Sequence, residues 1–194
     1  RAKNEIAYIP VVIHILHTGG PVGSKYNPSD EQIMSAVDYL NEVFSGTHPS
    51  LTPAGKDAAG DIGIRFMLAQ RDPDCNPTNG IHRIDMSRND TYVSEGVSSN
   101  DYVADVAFKT PIAWDRQQYY NIYVVNKING QDGSSGQFIA GYAYLPMDDI
   151  VDGTVMLATQ MKADTRTLPH EIGHAFNLYH PFEGSGSKTK CPVG

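Results

Sequence analysis

The chain has 194 residues, 40 % hydrophobic and 19 % charged, which fits one folded domain with a sizeable core. Its net charge of −7 comes without any Lys/Arg cluster, which excludes nucleic acid as an expected partner, because neutralising phosphates takes grouped cations. The longest apolar run, Ile9 to Leu16, is too short to span a bilayer and holds Pro10 and His14.

Ile9-Pro-Val-Val-Ile-His-Ile-Leu16 reads as a buried strand with its proline near the start. Residues 19–28 are a Gly/Pro/Asn loop. Ser29-Asp-Glu-Gln32 has the form of a capping box, with the Ser29 hydroxyl on the Gln32 N–H and the Gln32 side chain reaching back. Ile33, Ala36, Val37, Leu40, Val43 and Phe44 then recur at helical spacing, which predicts a helix over 30–45. Residues 46–61 are loop, 64–70 a strand, and 72–80 a second loop rich in turn formers. A short helix is expected within 100–109, and strands at 120–125, 138–145 and 154–158. This order implies an α/β (α+β) sandwich with a five-stranded mixed sheet, and no repeat or low-complexity block interrupts it.

The segment Thr167-Leu-Pro-His-Glu-Ile-Gly-His-Ala-Phe-Asn-Leu-Tyr-His180 carries the chemistry. His170 and His174 sit one helical turn apart, so both imidazoles leave one face and can share an ion. Pro169 belongs in the first turn of this helix, where its missing N–H costs nothing, and Thr167 is the expected N-cap. On a straight helix His180 would lie about 15 Å along the axis from His170. Zinc–nitrogen bonds are only about 2.0–2.1 Å long, so a third ligand at His180 needs a sharp turn after His174. Asn177, a residue type that tolerates the left-handed conformation, stands where that turn is needed. Three neutral imidazoles leave a fourth position for water, the mark of a catalytic zinc, and Glu171 is placed to act as its general base in peptide-bond hydrolysis.

His170 to His180 resembles the long zinc motif of the metzincin clan, His-Glu-x-x-His-x-x-Gly-x-x-His. The stretch through Pro181-Phe-Glu-Gly184 is most similar to the pappalysin, or cytophagalysin, branch. Ile9-Pro-Val-Val-Ile-His14, Tyr120-Asn-Ile-Tyr-Val-Val-Asn126, Ala140-Gly-Tyr-Ala-Tyr-Leu-Pro146 and Asp152-Gly-Thr-Val155 extend the likeness over most of residues 8–184. The resemblance implies a metzincin-like upper subdomain with a twisted sheet, a backing helix and an active-site helix. It also implies a secreted zinc endopeptidase acting on protein or peptide substrates, made as a zymogen with a removable pro-segment, with calcium as a second candidate ion. The strand holding Ala140, Gly141, Tyr142, Ala143 and Tyr144 becomes the sheet edge above the cleft, where an extended substrate can pair.

The sequence departs from the family pattern at two points near the zinc: Asn177 replaces the family Gly, and Pro181 follows the third histidine where Thr is common. All six methionines precede the motif, so the family's Met-containing turn is absent from the chain. On this reading residues 1–176 form the upper subdomain and 177–194 open a lower one that continues beyond Gly194.

Cys75 and Cys191 leave a mutual disulfide and separate fates open. His14 and His17 suggest a second metal site, but single histidines on a strand and a loop are more often packed or hydrogen-bonded, and His48 and His82 have no partners at ligand spacing. Asp148, Asp149 and Asp152, like Asp72 and Asp74, match no calcium-loop spacing. Asn89-Asp-Thr91 is a glycosylation sequon. Two competing functions remain: a zinc-stabilised, inactive binding module, against which Glu171 argues, and a deformylase-like hydrolase, which would need a Gly-Cys-Leu setting where Cys75 has Asp-Cys-Asn.

Overall fold

Val11, Val12, Ile13, His14, Ile15 and Leu16 are all buried along one strand, β1 (Ala7–His17), so neither of its faces meets solvent. A continuous apolar run of this kind suits a strand inside a parallel sheet covered on both sides. The computed structural model describes residues 5–49, 60–99 and 101–180, and bears that out. Two short strands, β2 (Ile64–Leu68) and β3 (Ile81–Asp85), lie end to end along one side of β1. Both run parallel to it, β2 from Ala7↔Ile64 and β3 to His17↔Asp85. On the other side β4 (Tyr120–Val125) is also parallel. Beyond it the short β5 (Gly141–Ala143) forms the sheet edge, antiparallel to β6 (Thr154–Leu157), which is parallel to β4.

Helix α1 (Asp30–Phe44) starts where the sequence places it, with the Ser29 hydroxyl accepting the Gln32 N–H at 3.2 Å. Only half of the expected capping box forms. The Gln32 side chain donates instead to the Met161 carbonyl at 2.9 Å, tying α1 to the turn that follows β6. Two small helices, α2 (Asp90–Glu95) and α3 (Tyr102–Lys109), and a final one, α4 (Thr167–Ala175), complete the fold.

Alternation along the strands sorts the core into two layers. Val11, Ile13, Ile15, Ile122, Val124 and Met156 face Ile33, Val37 and Leu40 of α1 and Leu168 and Ile172 of α4. Leu16, Tyr123, Val125, Val155 and Leu157 face the other way, onto Tyr92 of α2 and Phe108 of α3. Each fully buried aliphatic side chain contributes about 1.5–3 kcal/mol of transfer free energy, which anchors α4 on the sheet from beneath.

The expected five-stranded sheet has a sixth strand, β3, and helices cover both of its faces. The strand expected over 138–145 pairs only at Gly141–Ala143, and Phe138 and Ile139 are exposed.

Candidate metal centre and active site

Helix α4 carries His170, Glu171 and His174 within nine residues. Its first residue is Thr167, and the residue before it, Arg166, is already in right-handed helical conformation with no side-chain cap. The expected Thr167 cap is therefore wrong by one position. Thr167 instead sits beside the sheet edge: a Cβ on Gly141 would come within 3.2 Å of its methyl and 2.8 Å of the Val155 carbonyl. Glycine at 141 is what lets β5 lie this close to the helix.

The end of α4 brings the third histidine back. Asn177 has φ 66, the left-handed conformation its residue type tolerates. Its N–H bonds the His174 carbonyl at 2.8 Å, and the Leu178 N–H bonds the Gly173 carbonyl at 3.0 Å. These paired bonds form a Schellman motif, which ends the helix and reverses the chain. His180 then returns to the face from which His170 and His174 project. Its Nε2 lies 3.1 Å from that of His170 and 3.2 Å from that of His174.

Ligand atoms of the three histidines all lie within 4.8 Å of one another. Corners of a tetrahedron drawn at zinc–nitrogen bond length are about 3.3 Å apart, so the nitrogen spacing fits one small cation. The same turn sets the tautomer of His174. Its Nδ1 lies 2.7 Å from the Leu178 carbonyl oxygen, which can only accept, so the proton resides on Nδ1 and the Nε2 lone pair faces the cluster. Burial, then the neighbouring imidazoles, hold His170 below its ordinary pKa, which favours the neutral form that ligates. The donor set suits zinc in its catalytic form, with an open position.

Glu171 projects from the buried side of α4. Burial pushes its carboxyl up to about 7, against His174 and the backbone N–H of Ala143, which both favour the charged form. A carboxyl in this range exchanges a proton readily near neutrality. The half-buried Tyr120 ring feels the charge of Glu171, and its hydroxyl is 2.7 Å from that of Thr154. Neither Tyr120 nor Thr154 stands out in the sequence, because both read as ordinary strand residues. The Leu178 carbonyl left no side-chain signal at all.

At the sheet edge, the Leu157 N–H bonds the Ala140 carbonyl at 3.0 Å, and Tyr142 pairs with Val155. In an antiparallel ladder bonding alternates, so Ala140 and Tyr142 turn their backbone groups to β6, while Gly141 and Ala143 turn theirs towards the cleft. The side chains of Tyr142 and Tyr144 do not face the helix. The Tyr142 hydroxyl donates to Asp105 at 2.6 Å, and both rings lie near the Lys109 ammonium on α3. An open cleft of about 550 Å³ runs past Tyr120, Pro146, Met147 and Asp152 to Ala175 and Phe176 at the end of α4. A second cavity, about 770 Å³, lies between α2 and α3 and is lined by none of the three histidines.

The residues set aside in the sequence keep structural roles. His14 is buried, with Nε2 on the Asn121 side-chain oxygen at 2.8 Å and Nδ1 3.1 Å from that of His82. His48 lies beside Glu42 and Asp164. Asp148 pairs with Arg116 and Asp149 accepts from Tyr102, so these carboxylates do not converge. Among the described residues, the three motif histidines form the one ligand group of three. Cys75 is exposed, while Cys191 and Pro181 lie outside the described residues.

The peptidase M43 family model, described as pregnancy-associated plasma protein-A, matches residues 98–194. An extracellular metalloprotease of Colletotrichum graminicola is 22 % identical over 215 residues, covering 96 % of this chain and 61 % of the relative. Among solved structures, mirolysin in complex with a small compound matches with TM-score 0.76 and 28 % identity, over 97 % of this chain and 69 % of that one. Mature mirolysin of Tannerella forsythia in complex with a cleaved peptide matches with TM-score 0.74 and 27 % identity, over the same shares. A promirolysin variant from that organism matches with TM-score 0.74 and 27 % identity, over 97 % of this chain and 61 % of that one. The chain thus spans about three fifths of the curated relative it matches.

Proposed function

The chain belongs to the peptidase M43 family, the pappalysin branch of the metzincins, and from that premise we propose that it is a zinc-dependent endopeptidase with Glu171 as its general base. The observation that carries the proposal is the convergence of the His170, His174 and His180 Nε2 atoms at 3.1 and 3.2 Å spacing beside a buried carboxyl. When bound, zinc supplies a Lewis acid that polarises the scissile carbonyl and lowers the pKa of water. The three histidines hold it, and the Leu178 carbonyl keeps the His174 ring in the ligating tautomer. Glu171 accepts the proton of the attacking water and returns it to the leaving amine. Gly141 and the Ala143 carbonyl offer outward backbone groups to an extended peptide, which aligns the bond to be cut across the site.

The likeness to an extracellular metalloprotease supports secretion, and the likeness to promirolysin supports synthesis with a removable pro-segment. The likeness to mirolysin holding a cleaved peptide supports peptide substrates. We place residues 1–176 in an upper subdomain and 177–194 at the start of a lower one. A buried Glu171 with a raised pKa argues against an inactive binding module, which has no use for a base.

The test is zinc content and cleavage of an unfolded protein by the full-length enzyme and its Glu171→Gln variant. Equal zinc in both, with turnover reduced about a thousandfold or more in the variant, is the expected result. Equal turnover in both would remove Glu171 from the mechanism.

A further inference from the structure

The strand proposed to pair with substrate is three residues long and lies at the sheet edge, so its hydrogen bonds to β6 do little to fix it. Behind it sits an unusual group. Lys109 and Asp105 of α3 are both fully buried, one helical turn apart, with Nζ 3.4 Å from Oδ2. Burying two charges costs several kcal/mol each unless both are well partnered, so such a pair is a poor source of stability. Its partners reveal what it holds instead. The other Asp105 oxygen accepts the Tyr142 hydroxyl at 2.6 Å. The Lys109 ammonium donates to the Val151 carbonyl at 2.6 Å, in the connection between β5 and β6. The same ammonium lies 5.2 Å from the Tyr144 ring centroid, 5.9 Å from that of Tyr142 and 5.2 Å from that of Tyr123. Tyr142 is on β5, Tyr144 follows it directly and Val151 is in the loop that leads from it to β6, while Tyr123 lies on β4, one strand further in.

We propose that the buried Asp105–Lys109 pair is a clamp that positions the substrate-pairing edge from behind, through Tyr142, Tyr144 and Val151. The parity of the strand makes this effective. Tyr142 turns its side chain to α3 and its backbone to β6, and the residues on either side, Gly141 and Ala143, turn their backbone groups to the cleft. Fixing the Tyr142 side chain therefore fixes the register of both outward residues, including the Ala143 N–H beside Glu171. Asp105 and Lys109 are positioning residues: they touch neither the histidines nor a substrate, and act through the edge. The inference rests on the reading that a peptide pairs with β5.

The experiment is a cycle with the zinc-loaded, full-length enzyme, its Tyr142→Phe variant, and two peptide substrates. One peptide is unmodified; the other is N-methylated at a backbone amide that would pair with Gly141 or Ala143. N-methylation should raise KM about tenfold in the parent enzyme by removing one strand bond and its geometry. Tyr142→Phe should raise KM about fivefold on the unmodified peptide with kcat within about twofold, and should change nothing further on the methylated one. Asp105→Asn, which keeps the shape but removes the charge, should act in the same direction. An equal loss on both peptides would mean a general structural defect and overturn the clamp. A methylation penalty in the parent that Tyr142→Phe and Asp105→Asn leave untouched would overturn the clamp and keep strand pairing. No methylation penalty in the parent would overturn strand pairing itself, and the clamp with it.

Discussion

Two clusters of imidazoles occur in this molecule with almost the same nitrogen spacing, and only one of them is the proposed metal site. In the first, His180 Nε2 lies 3.1 Å from His170 and 3.2 Å from His174. In the second, His14 and His82 face each other through Nδ1 at 3.1 Å, paired across β1 and β3. The difference lies in where the remaining nitrogens go. His14 Nε2 meets the side-chain oxygen of Asn121, so its proton sits there and the Nδ1 lone pair accepts from His82, closing a hydrogen bond. His174 Nδ1 meets a carbonyl, so its lone pair on Nε2 is left facing two more imidazoles. Close histidines alone do not make a metal site; the far nitrogens and the number of rings that converge decide it.

Alanine substitutions separate the two clusters most sharply. His180→Ala should lower zinc affinity steeply and cut peptide cleavage by on the order of a thousandfold, read by metal analysis and a peptide assay. His14→Ala should keep stoichiometric zinc while costing about 2–3 kcal/mol of stability, because it opens a cavity and leaves the Asn121 oxygen with only the Trp114 N–H of its two donors.

Acidity tests the second cluster through His14. Burial first, then the charge of His82, pulls His14 down from 6.5 to about 4, against the Asn121 hydrogen bond. The unfolded chain therefore binds a proton between those values that the folded chain refuses. The stabilisation is complete above pH 6.5 and is lost as pH falls towards 4, by about 3 kcal/mol in all. Chemical denaturation of wild type and His14→Gln across that window should show the wild type losing stability more steeply, by this amount. Parallel curves would mean that His14 is not the neutral, locked residue described here.

A smaller effect is expected at the bend that distinguishes the first cluster. Asn177→Ala forces a Cβ without a local hydrogen-bonding group into the left-handed region and should cost about 1 kcal/mol, with weaker zinc binding. Asn177→Gly should be neutral to slightly stabilising. Titration of zinc against a chelator reads both. Equal affinity in all three proteins would show that the turn is set elsewhere.

Much of this was legible because local rules and tertiary demands agree. Ser29 and the spacing of Ile33, Val37 and Leu40 mark α1 to within a residue, and the distance argument for His180 leads directly to the left-handed Asn177. The misses share a cause as well. β3, Ile81–Asp85, mixes Ile with His, Arg and Asp and pairs only with the second half of β1, so its strand character comes from β1 and not from its own pattern. α2 is six residues long, too short for periodicity, and its one signal was the Asn89 cap on the Tyr92 N–H. The expected strand at 138–145 was too long because aromatic residues raise strand propensity wherever they pack, and Tyr144 packs towards Lys109 beyond the end of the ladder. The role of Gln32 is tertiary: its amide reaches Met161, far along the chain. The buried Asp105–Lys109 pair was invisible for a similar reason, since an i, i+4 pair on a short helix reads as a solvated surface feature.

X-ray absorption at the zinc edge of the metal-loaded, full-length protein tests the central claim most directly. The account predicts one zinc per chain with three imidazole nitrogens at about 2.0–2.1 Å and a single light-atom ligand besides. A zinc held by fewer than three imidazoles, or by sulfur, would contradict it.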